Sequence, residues 1–428
     1  MFNQEPLRHI PVRPNLKQLR QQAKDLLQAI RSRDQAAIEE FNQSHPSAST
    51  ISPDQIKLSD VQLALARSYG ISSWPRVVQA CELIDAIWRD DIDTVRDLVT
   101  KYPALLHENA RGTTKCNWGP PMSYAANVGR DEIIEMLHSL GATDLQTAIG
   151  RATLQSKIGT ARLLHKLMGS PPPPDGCLGG AAYTLSPSGT ALMFELGARV
   201  VDANGKRLAP VDVVLATDSR NPAAKHAILE MYVQHGLELP DTPAMALHRG
   251  RIDLLEEHLR RDPNLFERTF SHKEIYPPEM GFHNESEATE GTPLAGTTLL
   301  HLCADYDELE IARWLLEQGM NPNVRAAVDS DGFGGYTALF ATVVSQPNFW
   351  MNHYGRESEA PFTQLLLDHG AEVNVRASLR KELHPGYEIS GLYEYRDVTP
   401  VSWGERFHFR KLVNEKAVEM IRDAGGVD

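Results

Sequence analysis

Between residues 298 and 320 the apolar positions fall into two short helical stripes. The first runs through Thr298-Leu-Leu-His301-Leu-Cys303, and the second through Leu309, Ile311, Trp314, Leu315 and Leu316, stopping at Gly319. The pattern predicts a short helix, a tight turn and a second helix. Each helix has one apolar face, too little to be stable until a neighbour covers it. A unit of that kind is expected in stacked copies. A second copy is legible at Pro120-Pro-Met-Ser-Tyr-Ala through Leu140-Gly141-Ala, and Pro120 lies 21 residues before Gly141, as Thr298 lies 21 before Gly319. Threonine or proline suits a helix's first turn, and glycine permits the left-handed residue that ends one.

With both anchors in view, the chain resembles ankyrin repeats. Thr298-x-Leu300-His301 stands in that family's Thr-Pro-Leu-His position, and Gly319-Met320-Asn321-Pro322-Asn323 resembles its Gly-Ala-Asp-x-Asn ending. Weaker copies are Thr337-Ala338-Leu339-Phe340 with Gly370-Ala371-Glu372-Val373-Asn374, Thr399-Pro400 with Gly425-Gly426, Pro210 with Gly236, and Thr242-Pro243 leading to Leu254–Leu259. The resemblance spans roughly residues 81–428. It implies an all-α, irregular solenoid of roughly seven or eight units whose concave face and projecting hairpin fingers hold a protein partner. It also implies that His301 serves the turn by hydrogen bonding between neighbouring repeats.

Residues 1–80 do not fit the repeat. An amphipathic helix is expected from Asn15 to Ile30, a polar linker at Ser44–Thr50, and a helix over Leu58–Tyr69 closed by Gly70. This leader resembles those of bacterial ankyrin proteins, and a stack needs a terminal cover with a polar outer face. The expected organisation is therefore a helical cap over 1–80, divergent repeats over 81–260, and repeats with long inserted fingers over 261–428. Pro171–Pro174 reads as a stiff break, and Asp175–Gly180 as its flexible continuation.

Composition narrows the partners. The net charge of −13 opposes phosphate backbones and anionic lipid, so neither nucleic acid nor a membrane surface is expected, and it favours a basic protein by complementarity. No run approaches the roughly 18 to 20 apolar residues of a membrane span, and the N-terminus lacks a signal peptide's apolar core, which points to the cytoplasm. Cys81, Cys116, Cys177 and Cys303 are too dispersed for a zinc site or disulfide framework and suit reduced thiols.

Candidate chemistry concentrates in long inserts. Pro263–Gly296, Val324–Tyr336 and Val375–Val398 occupy three successive finger positions, and residues 345–361 separate the two helices of one repeat. Their aromatic, histidine and acidic residues are the candidate binding set: Tyr276, His283, Asp329, Asp331, Phe333, Tyr336, Trp350, His353, Tyr354, Tyr387, Tyr393 and Tyr395. Rings in irregular surface segments offer large contact area at modest entropic cost, or else pin their own loops to the stack. The other reading is a hydrolase acting on a glycoside or similar polar substrate, with Glu285, Glu287, Asp329, Asp331, His283 and His353 as acid/base candidates. A third is an inhibitor that caps a basic toxin.

No cofactor or metal is expected. Asp329-Ser-Asp331-Gly332 lacks the glutamate that closes a calcium loop, and Gly150–Gly159 lacks the Gly-Lys-Ser/Thr of a phosphate-binding loop.

Overall fold

The leader helix forms as Leu16–Arg31, and the Asn15 side chain caps it by accepting from the Gln18 amide at 3.1 Å. A second helix, Gln35–Ser44, follows in a stretch the apolar pattern did not single out, capped by Asp34. Leu58–Ser68 ends before Gly70, whose φ of +71° is the left-handed turn expected there. Leu19, Ala23, Ile30, Phe41, Val61 and Leu65 close one apolar core among these helices, and Val77 and Cys81 of helix Trp74–Arg89 join it. The expected boundary at residue 80 therefore falls inside a helix shared by the leader and the first repeat.

The computed structural model describes residues 6–113, 117–217, 220–282, 294–344, 359–383 and 391–428. They form two compact units, Met1–Pro171 and Pro172–Asp428. The division falls in the proline run, where the sequence reads a stiff break.

After the leader, the first unit contains three antiparallel helix pairs: Trp74–Arg89 with Ile92–Lys101, Pro121–Val128 with Asp131–Ser139, and Leu145–Leu154 with Ile158–Leu167. Gly150 and Gly159 lie inside the last pair's helices, so that segment is a repeat the start and stop anchors missed.

The second unit contains six pairs among its described residues. They begin at Gly179, Val211, Pro243, Leu299, Ala338 and Pro400, and the last helix is Glu415–Asp423. From Pro243 onward the first helix of each pair packs on the first helix of the next, and second helices stack likewise from Leu309–Glu317. Apart from one two-stranded sheet the described residues are all-α, with nine helix pairs among them against the expected seven or eight. Gly179 and Gly180 open a helix instead of continuing a flexible link.

The stacking logic shows best around His301, which is 2% exposed. Its Nε2–H donates to the Tyr336 carbonyl of the next repeat at 2.9 Å, and its Nδ1 lies 2.9 Å from the Thr298 hydroxyl, which donates to it. Both partners suit the neutral ring, and burial pushes its pKa down to about 4. Gly319, at φ +94°, ends the pair, and Asp307 takes the left-handed position at the inner turn. Trp403 is fully buried, whereas Trp88 and Trp314 are half-buried.

A buried ionic network ties three consecutive pairs of this unit. Arg220 donates to the Asp305 carbonyl at 2.8 Å and its carboxylate at 3.1 Å, and its guanidinium lies 4.6 Å from the Tyr306 ring centre. The Lys225 Nζ is 2.8 Å from Glu308, which also receives His226 Nε2 at 2.8 Å. His248, from the intervening pair, stacks edge-on against Tyr306, and its Nδ1 lies 3.4 Å from Lys225. Burial works against the Glu308 carboxylate, but Lys225 and His226 outweigh it and hold its pKa below the usual range.

Candidate functional site

The inserted fingers of the second unit are joined backbone to backbone. Phe270 and the segment at Gly296–Thr297 exchange bonds at 2.7 and 2.8 Å, and the Ala327 amide donates to Gly296 at 2.8 Å. Ala326 pairs across its own finger with Gly335 and Tyr336, and the Gly334 amide donates to Ser378 at 2.8 Å. Ser378 belongs to β1 (Ala377–Leu383), which pairs antiparallel with β2 (Gly391–Val398). The third finger is thus a true hairpin, with an irregularity between Ala377 and Leu379 opposite Asp397, whose φ is +51°. No side chain could occupy Gly334: a Cβ there would sit 2.0 Å from the Ala327 carbonyl oxygen.

Side chains lock the second finger to the third. The Asp329 carboxylate accepts from the amides of Asp331 and Phe333, each at 2.9 Å, and these backbone bonds are the main cause of its lowered pKa. Arg380 of β1 pairs with Asp329 and Asp331. The guanidinium of Arg380 covers one Phe333 contact at 4.7 Å and that of Arg396 another at 4.2 Å. Arg380 and Arg396, which the sequence did not single out, are therefore central to this site.

Facing cross-strand neighbours sort the hairpin into two faces. Leu379, Lys381, Tyr393 and Tyr395 lie on one, where Tyr395 packs on Trp403 and Tyr393 stacks 3.5 Å from the His408 ring. Arg380, Glu394 and Arg396 lie on the other.

The candidate residues divide accordingly. Tyr276, Phe333, Tyr336 and Tyr395 are buried, so as directly exposed anchors they are corrected: their rings hold the fingers to the stack. Tyr276 bonds the Tyr306 hydroxyl at 2.6 Å, and Tyr336 packs edge-on against His301. The physical reason is that an enlarged finger needs its own small core, and its aromatic residues supply it. Asp329 and Asp331 are exposed, and Tyr393 is half-buried against His408. His283, Trp350, His353, Tyr354 and Tyr387 lie outside the described residues, as do Glu285 and Glu287.

Asp329 and Asp331 are committed to the turn and to Arg380. An open cleft of roughly 300 Å³ nearby has its acids similarly engaged, Asp241 with His258 and Arg261, and Glu274 with Arg268. Among the described residues no cluster of three metal-ligating side chains occurs, and no helix is long and apolar enough to cross a membrane. Cys81 and Cys303 are buried free thiols and Cys177 is a half-buried one; Cys116 lies outside the described residues.

Charge is divided unevenly. The first unit holds 18 acidic and 20 basic residues, and the second 38 and 23, so the whole negative balance belongs to the unit with the fingers.

Comparison with known proteins agrees on the repeat. The family model of the ankyrin repeat matches residues 295–327. No curated protein matches the chain. Among the 70 solved chains that match is the crystal structure of the human ASB11 ankyrin repeat domain, at 15% identity, covering 70% of this chain and 97% of that one, with a TM-score of 0.26.

Proposed function

We propose that this chain, an ankyrin-repeat protein, is a recognition scaffold whose second unit holds a basic protein partner along its fingers and concave face. The observation that carries the reading is the hydrogen-bonded row of enlarged fingers on the unit that bears all the excess negative charge. A rigid row presents its outer groups at fixed spacing, which lowers the entropy lost on binding. The acidic field steers a basic partner towards it. Within the row, Asp329, Asp331 and Tyr393 are the surface contacts, and the buried rings of Tyr276, Phe333, Tyr336 and Tyr395 set their positions. His283, Trp350, His353, Tyr354 and Tyr387, outside the described residues, remain candidate contacts in this proposal.

Capture of partners by the full-length chain at low salt tests it. Asp331→Lys and Tyr393→Ala are each expected to weaken capture of a basic protein by roughly tenfold, about 1–2 kcal/mol, with added salt weakening it further. Undiminished capture by both variants, or capture of acidic proteins only, overturns the reading.

A further inference from the structure

Among the described residues, the enlarged fingers of the second unit are paired strand to strand. Phe270 pairs with Thr297, Gly296 with Ala327, Gly334 with Ser378, and β1 with β2. The row ends at β2. Among the described residues, the backbone groups of Gly391–Arg396 make no hydrogen bonds except those to β1, so every second residue turns its N–H and C=O outward. An open edge of this kind is a template for one more strand.

The edge has a defined extent. The irregularity at Asp397 interrupts it on one side, leaving Gly391–Tyr395 as the regular stretch. Within that stretch Leu392 is 56% exposed, and Glu394, exposed on the same face, lies 3.6 Å from the Arg396 guanidinium. We infer that β2 is a docking edge for an extended, basic segment of the protein partner, which adds as the next strand of the row and sets a cationic residue beside Glu394 and an apolar one beside Leu392.

This inference rests on the recognition reading above and names where and how the partner is held. Charge decides between possible occupants. A second copy would bring another unit with 38 acidic and 23 basic residues against this one, whereas a basic segment meets an opposite field.

The probe is a capped peptide repeating valine–threonine–lysine–threonine, which sets a valine and a lysine two residues apart on one face, titrated against the full chain at low salt and followed by amide hydrogen exchange. Exchange is expected to slow at Gly391–Tyr395 on saturation. Leu392→Pro removes a backbone donor from the strand, and Glu394→Lys reverses the local charge; each is expected to weaken binding roughly tenfold while the melting temperature holds. The matching valine–glutamate peptide is expected not to bind.

Absent protection at Gly391–Tyr395, equal binding of the glutamate peptide, or unchanged affinity in both variants overturns the inference. So does sedimentation of the chain alone as a dimer that Leu392→Pro dissolves, since a second copy would then occupy the edge. Partner capture lost in Asp331→Lys but kept in both β2 variants overturns the edge alone and leaves the fingers as the recognition surface. Capture unchanged in all of these variants overturns the recognition reading itself.

Discussion

Glu308→Ala is expected to lower the unfolding free energy of the second unit by about 3–5 kcal/mol, among the largest effects of any single substitution here. Glu308 is 2% exposed and Lys225 is 3% exposed, so alanine leaves an ammonium group stranded inside the stack. Lys225 also faces the Tyr306 ring at 4.4 Å and His248 at 3.4 Å, and neither neutralises it. The paired replacement Lys225→Met with Glu308→Leu is expected to recover most of the loss, because an ion pair replaced by apolar groups of similar volume leaves no charge unpaired. Urea unfolding at pH 7 reads both results as shifts in midpoint at constant slope. Equal midpoints for Glu308→Ala and the parent would mean that water reaches this network.

Stability is also expected to fall as pH drops from about 6.5 towards 4. His301 is held neutral with a pKa of about 4, against an ordinary value of 6.5, and burial pushes His248 well below that value as well. In the window between the two values the unfolded chain binds the proton and the folded chain does not. The stabilisation is therefore complete above 6.5 and is lost progressively as pH falls to about 4. For His301 alone the loss amounts to about 3 kcal/mol by pH 4. His301→Gln keeps an amide able to bond Thr298 and Tyr336 but removes the titration. Its stability is expected to be lower than the parent's at pH 7 and to depend less steeply on pH below 6.5. An identical slope in variant and parent, measured by urea unfolding across that range, would locate the acid sensitivity elsewhere.

What the chain revealed before folding follows from the range of the interactions involved. Thr298, His301 and Gly319 act within one repeat, or on the next repeat through a single backbone bond, so their spacing was readable. The same holds for Asn15 and Gly70, whose roles are local turns. The network of Arg220, Lys225 and Glu308 was not readable, because its partners lie more than 80 residues apart and come together only once a third pair stacks between them. The pair at Leu145–Leu167 was missed because neither a threonine nor a proline opens its first helix.

The finger residues were found by type, but the direction of their rings was not readable. Phe333 is an aromatic residue in an exposed-looking loop, yet Arg380 and Arg396 from the next finger close over it. Nothing near Phe333 in the sequence indicates that clamp. Hairpin formation at Ala377–Val398 had a weak signal in the alternation Leu392-Tyr-Glu-Tyr-Arg396, which a helical reading of the repeat overrides.

The central claim is that the row of fingers, rather than the outer helices, is the working surface. Amide exchange of the full chain, free and saturated with a captured partner, tests this most directly. The account predicts slowed exchange at 328–333 and 391–395, with little change along helices Leu309–Glu317 and Pro361–Asp368. Protection confined to those helices, or to the first unit, would contradict it.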